Sequence, residues 1–454
     1  MKLQRALLWT ATVVALALGQ QFHDASQRPL PYVLLGIATL FPLAATFLHK
    51  DQKWLSRWPL FGDLVLVLAA LGLSLEVFGQ FTGLYRWAAQ PHHPPFDKVA
   101  LLVSVSVVLG AVGLAATDRV GRVTSAVMVI ATVLLGLLIV HDTKPWIDVY
   151  LFHTRSVEAL LHGQMPYGAF TPNIYKGMPF YAPEVLTPDG AQVHLGFPYP
   201  PLQLLLALAP QRLLGDYRYL HILAIGVSCA LMLWMKPGMK SRVAVAVFLL
   251  APWMILVMEQ GWTEPLLVLF FSLTMVAALR APRMLPFALA GVFAIKQYAV
   301  ALAPLVFLLV DDRKRAWRIV IQSGLLAAAT LVPFALWDWR GLVNDLVLFL
   351  VRQPLRPDSY NWTSLVWTHW RVLIPQGLAF ASLVAAVLLT VWKGPRGPLG
   401  FASGTMLGFT LFFGFSKHAF YNYWFFLLAV AAWALVLSDD EAPVPALTPA
   451  AVSK

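Results

Sequence analysis

The stretch HDTKPWIDVYLFHTRSVEALLHGQMPYG (141–168), which runs on to HLGFPYPPLQ (194–203), belongs to the longest polar interruption in an otherwise apolar chain. Segments on both sides are long and apolar, so we expect residues 141–201 to form one large loop at a membrane surface. This loop concentrates acidic and imidazole side chains, namely Asp142, Asp148, Glu158, Glu184, Asp189, His141, His153, His162 and His194.

The composition indicates a helical membrane protein. Of the 454 residues 59% are hydrophobic and only 12% are charged, whereas soluble domains carry roughly 25% charged residues. Apolar runs of about 18 residues or more recur along the chain. The short alternating segments of a membrane barrel are not the pattern seen here. The predicted fold class is therefore all-α and polytopic, with about 11–13 membrane segments, some of them re-entrant.

The net charge of +11 is explained by topology rather than by nucleic acid. Lys and Arg gather in short loops such as 49–59, 117–122 and 311–318, as cytoplasmic loops of membrane proteins do. This bias predicts a multi-pass protein of the cell (plasma) membrane with both termini in the cytoplasm and the 141–201 loop outside. The opening residues 1–20 resemble a signal peptide, but another apolar segment follows at once, which favours a first transmembrane helix.

The same pattern divides the chain into four parts. Residues 1–140 are predicted to form N-terminal transmembrane helices and 141–201 the extracytoplasmic loop. Residues 202–437 are predicted to form C-terminal transmembrane helices with a second external loop at 338–373, and 438–454 a disordered cytoplasmic tail. The apolar segment at 200–214 is short and contains Pro210, so we expect it not to cross.

Lys296 lies in the middle of the apolar stretch between Arg283 and Arg313. A lysine at mid-membrane is costly and needs a partner or a wet cavity. Basic residues at both ends favour two half-helices with Lys296 near their apex. The alternative is one tilted crossing with Lys296 buried against a carboxylate.

Asp148 is the leading candidate for catalysis. It precedes a predicted helix over 148–162, which Gly163 should terminate. A carboxylate at this surface can take a proton from a sugar hydroxyl as a general base. The alternative is that Asp148 only caps the helix, a contribution of about 1 kcal/mol.

His418 and Lys417, in the external stretch 416–424, are candidates for binding a phosphate, and the alternative is that they anchor the chain at the interface. The histidines lack the spacing of a zinc site, so no cofactor is predicted and a divalent metal has no support.

Five motifs in order resemble those of the GT-C glycosyltransferases, with glycosyltransferase family 87, the PimE-like polyprenol-phosphate-mannose-dependent mannosyltransferases, as the nearest group. The resemblance covers about 140–435. In this chain, four additional apolar segments precede the loop that usually follows the family's first helix. The matching pieces are DVY (148–150), ALLHGQMPY (159–167), FPYPP (197–201), QGWTEPLL (260–267) and AGVFAIK (290–296).

The resemblance implies an inverting hexosyltransferase, with mannose favoured, that uses a polyprenyl-phosphate sugar donor and a lipid or glycan acceptor outside the cell. Asp148 would be the general base, with Asp142 as its rival. The rival function is a transporter or flippase of lipid-linked sugars, and no inverted repeat supports it. Candidates for donor phosphate and substrate binding are His418, Lys417, Arg352, Arg356, Lys296, Gln260, Glu264 and Tyr199.

Overall fold

The computed structural model describes residues 2–21, 29–47, 96–251 and 253–438, which are mostly helical. The basic loop at 49–59, the apolar sequence at 60–79, which we expect to be a further membrane segment, and the tail at 439–454 lie outside these residues. The α-helices in chain order are α1 (Lys2–Gln21), α2 (Pro29–Phe47), α3 (Phe96–Ala115), α4 (Asp118–Asp142), α5 (Asp148–Leu161), α6 (Leu202–Leu214), α7 (Arg218–Met235), α8 (Met239–Leu249), α9 (Met254–Gln260), α10 (Glu264–Arg280), α11 (Leu285–Ile295), α12 (Val306–Leu309), α13 (Arg313–Val343), α14 (Phe349–Arg352), α15 (Trp362–Trp370), α16 (Gln376–Lys393), α17 (Gly397–Phe415) and α18 (Tyr421–Val436).

Seven helices in the described residues are long and apolar enough to cross a membrane, or up to eight if α8 and α9, which meet at 60°, form one span. This confirms the prediction of a polytopic helical membrane protein, while the number of 11–13 segments stays a prediction. Five shorter apolar helices accompany them, among them α6. At 13 residues α6 is about 20 Å long, shorter than the ~30 Å hydrocarbon core.

The centre of the bundle is α18, whose side chains are apolar on all sides. Trp424 and Trp433 are fully buried in it, and α18 packs against α1, α8, α10 and α17. A helix that is hydrophobic all round belongs in the interior. The opposite case is α13, where Leu325 and Leu336 are 67% and 84% exposed, as expected for a helix that faces lipid.

The first helix belongs to this bundle. It packs against α2, α8 and α18, and the Trp253 indole N–H donates to the Ala17 carbonyl over 2.9 Å. Its apolar part, Arg5–Gly19, is one of the shorter apolar helices, so the first transmembrane helix favoured by the sequence stays a prediction.

Residues 143–201 consist mainly of irregular chain, with α5 near the start. Two short strands, β1 (Phe170–Pro172) and β2 (Gln192–His194), pair antiparallel with Phe170 opposite His194. A 3₁₀ turn, Pro183–Val185, lies between them in sequence.

The second predicted external loop is helical over its first part. The backbone leaves helical geometry at Asp338, where the loop was predicted to begin. The chain then continues through the end of α13, a π-helix (Asn344–Leu348) and α14 before it becomes irregular at Gln353. Residues such as Asp338 and Arg340 mark the end of an apolar run, but polar residues do not by themselves end a helix.

The Lys296 region contains features of both predicted alternatives. Helix α11 ends at Ile295, Lys296 is extended, and a 3₁₀ helix (Gln297–Leu305) leads into α12. The chain is therefore broken at Lys296, as two half-helices require. Lys296 is also paired with a buried carboxylate, because its Nζ lies 2.8 Å from Oε1 of Glu264.

Candidate functional site

Helix α5 presents Asp148 at its first turn. The predicted helix is present, and it ends before Gly163, whose φ of +69° is the left-handed conformation typical of a glycine stop. The N-cap position belongs to Ile147, and Asp148 accepts a hydrogen bond from the adjacent Val149 N–H over 2.7 Å. An N-cap side chain would accept from two or three residues further on. Helix capping therefore does not explain Asp148.

The Asp148 carboxylate is held between two donors. Its Oδ1 accepts from Val149, and its Oδ2 accepts from the Tyr181 hydroxyl over 2.7 Å. Desolvation by the surrounding protein raises the pKa of Asp148, while the two hydrogen bonds and the charge of Arg356 lower it. The desolvation prevails. The carboxylate of Asp148 is therefore held in one orientation, and its raised pKa makes it a stronger base than an ordinary aspartate. Both properties suit a general base.

Asp148 opens onto a cavity of about 410 Å³, which we call the central cavity. Its size falls in the range of small-molecule sites. The cavity lies between the 143–201 segment, the end of α9, α14 and the chain that follows it, and the start of α18. The polar side chains and tyrosines lining it are Asp148, Tyr175, Tyr199, Gln260, Gln353, Arg356, Asp358, His418, Tyr421, Asn422 and Tyr423.

Arg356 is the only lysine or arginine among the described residues that line the central cavity. Its guanidinium lies 3.7 Å from the ring centroid of Phe180 and 4.9 Å from that of Phe420. Asp358 accepts two hydrogen bonds from it, at 2.8 and 2.7 Å. The two rings and the carboxylate hold the guanidinium in a defined position, where it can donate hydrogen bonds to an anionic group of a ligand.

His418, a predicted phosphate-binding residue, lines the central cavity as an uncharged side chain. Burial, and then the charges of Arg356 and Lys417, lower the pKa of His418 to about 4. The imidazole is therefore neutral at pH 7 and offers one N–H donor. Lys417 instead donates to the backbone carbonyls of Val351 and Gln353 over 2.9 and 3.1 Å, and it is not among the lining residues.

Lys296 and Glu264 lie behind the cavity wall and do not line it. The Lys296 ammonium is 4.1 Å from the ring centroid of Tyr199, which does line the cavity. Glu264 also accepts a hydrogen bond over 3.0 Å from Asn422, another lining residue. The pair therefore supports the wall of the central cavity and has no direct access to its contents.

The remaining predicted site residues lie elsewhere. Asp142 ends α4 and pairs with the neighbouring His141 over 2.6 Å, outside the lining set. Arg352 ends α14 and is exposed. The structure thus brings together five of the predicted site residues, namely Asp148, Tyr199, Gln260, Arg356 and His418.

Sequence reasoning missed Asp345, a residue of the π-helix whose side chain joins that helix to the 143–201 segment by hydrogen bonds. Its Oδ2 accepts three backbone N–H groups, from Gly168, Gly196 and Phe197, each over 2.9 Å. A Cβ at Gly196 would collide with the carbonyl of Pro166, so the close approach requires glycine. The convergence of three N–H donors on one oxygen cannot be predicted from sequence spacing, because the donors are 148 to 177 residues away from Asp345 in the chain.

A second missed group, Arg218, holds the end of α4, the helix that precedes Asp148 in the chain. The buried guanidinium of Arg218 donates to the carbonyls of Val140, Thr143 and Glu259 and is paired with Asp216 over 2.8 Å. It therefore ties the end of α4 to α7 and α9. The sequence signal is a charged pair two residues apart at the start of an apolar segment, which also fits interfacial anchoring.

Comparisons of the chain with protein-family models, with curated proteins and with solved structures return no match. What the chain does must therefore be inferred from its own residues and their geometry.

Proposed function

We propose that the chain is an integral membrane glycosyltransferase of GT-C type that transfers a hexose, with mannose favoured, from a polyprenyl-phosphate donor to a lipid or glycan acceptor. The observation that carries the proposal is the oriented Asp148 carboxylate, which opens with Arg356 onto one cavity in a helical membrane protein. A glycosyl transfer from a phosphate-linked donor needs both groups: a base at the attacking oxygen and a cation at the leaving phosphate.

The reaction would proceed as a single displacement. Asp148 takes the proton of an acceptor hydroxyl as its oxygen forms a bond to C1 of the donor sugar. The bond between C1 and the phosphate oxygen breaks, and the polyprenyl phosphate leaves with the electron pair. Attack on the face opposite the phosphate inverts the configuration at C1. The guanidinium of Arg356 and the neutral N–H of His418 stabilise the negative charge that develops on the phosphate.

The lipid-linked donor bears on the location of the reaction, and the residues of the cavity wall bear on how the sugar is bound. A lipid-linked donor reaches such a cavity from the bilayer. The bias of Lys and Arg toward the short loops of the other side favours the extracytoplasmic face of the plasma membrane as the location of the cavity. Gln260 and Tyr199 would bind the sugar, because their amide and ring offer hydrogen bonds and an apolar face.

The test compares two aspartates that lie six residues apart. Purified wild-type protein in lipid is incubated with radiolabelled polyprenyl-phosphate mannose and a lipid extract, and labelled products are separated. Asp148→Asn keeps the shape of the side chain but not its basicity, and we expect it to lower transfer by about 10²–10⁴-fold. The matched control Asp142→Asn removes a carboxylate outside the central cavity and should retain activity.

Three results would contradict the proposal. Full activity of Asp148→Asn would remove Asp148 as the base, and loss only in Asp142→Asn would assign that role to its rival. No transfer by wild-type protein with any of a panel of lipid-linked hexoses would leave the transporter as the better hypothesis. That hypothesis is favoured by the buried Lys296–Glu264 pair, because ionisable residues in membrane helices often lie on transport pathways.

A further inference from the structure

We propose that a second cavity, on the outer part of α5, binds the neutral sugar chain of an extended acceptor; this inference rests on the proposed glycosyl transfer. The cavity, which we call the outer groove, has a volume of about 440 Å³. It lies between α5 and the chain that follows it up to β1, and its lining includes Arg155, Glu158, His162, Gln164, Phe170 and Gly196.

The polar side chains of the outer groove are available to a ligand. Arg155, Glu158 and Gln164 are exposed, and no side-chain hydrogen bond or ion pair of theirs occurs within the described part of the chain. His162 uses Nδ1 to bond the Glu158 carbonyl over 2.9 Å, which leaves Nε2 available. Together they offer both donors and acceptors, the mixture that hydroxyl groups require.

The charges in the outer groove favour a neutral ligand. Arg155 and Glu158 are three residues apart on α5 and so lie on neighbouring positions of one helix face. An anionic ligand would meet the carboxylate, and a cationic ligand would meet the guanidinium. A neutral polyol can accept from one and donate to the other, so the pair selects for hydroxyl groups rather than for phosphate.

An aromatic face completes the lining. Phe170 is 51% exposed, and its ring stacks on that of His194 with 4.5 Å between centroids. The stacking and the β1–β2 pairing fix the ring, so that an apolar sugar face can lie against it at little entropic cost. The floor is also fixed, because the Ser156 hydroxyl donates to the Gly196 carbonyl over 3.2 Å.

The outer groove and the central cavity follow one stripe of α5. Asp148 and Phe152 line the central cavity, while Arg155, Ala159 and His162 line the outer groove. The spacings of four and three residues place all five on the same face of the helix. The helical rise puts Arg155 about 10 Å and Glu158 about 15 Å beyond Asp148. A sugar chain whose terminal hydroxyl meets Asp148 would therefore extend along this stripe.

The experiment measures transfer to two synthetic acceptors, an alkyl monomannoside and an alkyl tetramannoside. Glu158→Ala and Arg155→Ala should each raise KM for the tetramannoside about tenfold, the loss expected for one hydrogen bond to a charged group. KM for the monomannoside and kcat for both acceptors should stay unchanged. The matched control is Glu184→Ala, which removes an exposed carboxylate from the same segment but outside the outer groove.

Equal changes in KM for both acceptors, or no change for either, would overturn the inference. A second measurement separates it from the proposed function: binding of free mannotetraose without donor, followed by tryptophan fluorescence. If wild-type protein binds the tetraose, the variants bind it about tenfold more weakly, and no transfer occurs, the groove stands and the proposed function fails. If transfer occurs but the tetraose is not bound, the groove fails and the function stands.

Discussion

The buried pair of Lys296 and Glu264 allows the sharpest prediction about stability. Their charged atoms are 2.8 Å apart, and the side chains are 3% and 0% exposed. Removing one partner of a buried ion pair leaves the other charge uncompensated, which costs about 3–5 kcal/mol. We expect Lys296→Met to lie near the lower limit, about 3 kcal/mol, because Glu264 keeps its hydrogen bond from Asn422. This corresponds to about a 100-fold larger unfolding constant.

The opposite single variant and the double variant determine whether the pair explains this loss. Glu264→Gln leaves the ammonium against the Tyr199 ring at 4.1 Å, a weaker partner than a carboxylate. It should therefore also cost about 3–5 kcal/mol. Lys296→Met combined with Glu264→Gln removes both charges, and such replacement of a buried pair is often nearly neutral. The double variant should be more stable than either single variant.

The assay is equilibrium unfolding in mixed micelles, with sodium dodecyl sulfate as denaturant and tryptophan fluorescence as the signal. Lys98→Met is the matched control, since it removes the same atoms from an exposed side chain at the start of α3 and should change stability by less than about 0.5 kcal/mol. A loss below about 1 kcal/mol in Lys296→Met, or a double variant whose loss equals the sum of the two single losses, would refute the reasoning.

Two further predictions concern the central cavity and its support. Asp148 must be ionised to act as the base, so activity should rise with pH through its raised pKa. Tyr181→Phe removes a hydrogen bond that lowers this pKa. The acidic limb of the pH–rate profile should therefore move to higher pH in the variant. An unmoved limb with normal activity would exclude Asp148 as the titrating base. Asp345→Ala leaves two buried N–H groups and one partly buried N–H group without their acceptor. At about 1–3 kcal/mol for each buried group, unfolding in the same micelles should show a loss of about 2 kcal/mol or more. A loss under about 1 kcal/mol would contradict the stabilising role of Asp345. The loss is compared with that of Asp338→Ala, a variant at the nearby helix break.

The helices were predictable because each depends on local sequence. Apolar runs near 219–235, 374–392 and 397–415 are long enough to span a bilayer. In the structure they are the helices Arg218–Met235, Gln376–Lys393 and Gly397–Phe415. The amphipathic helix at 148–161 and its glycine stop were predictable for the same reason. Within the predicted second loop, the helical stretches up to Arg352 and over Trp362–Trp370 could not be located from the sequence, because polar residues mark the edge of a membrane segment and not the end of a helix.

The candidate site was predictable only in part. Asp148 could be singled out because an acid at the start of a surface helix is visible in sequence, and Arg356 and His418 because they lie in polar stretches between apolar ones. Their different roles could not be foreseen. Lys417 and His418 are neighbours, yet one is used on backbone carbonyls and the other is made neutral by burial. A charged or ionisable residue in the sequence does not indicate which carbonyl it will bind or whether it will be buried away from water.

The sequence by itself determined that this is a helical membrane protein and where its polar segments interrupt the apolar ones, because hydrophobic length and periodicity are local properties. Only the tertiary structure decided which polar groups meet. Tyr181 reaches Asp148 across 33 residues, and Asp345 reaches Gly196 across 149. Such contacts depend on the packing of whole helices, because the free energy of burying each polar group is recovered only where a partner from another segment is brought within hydrogen-bond distance.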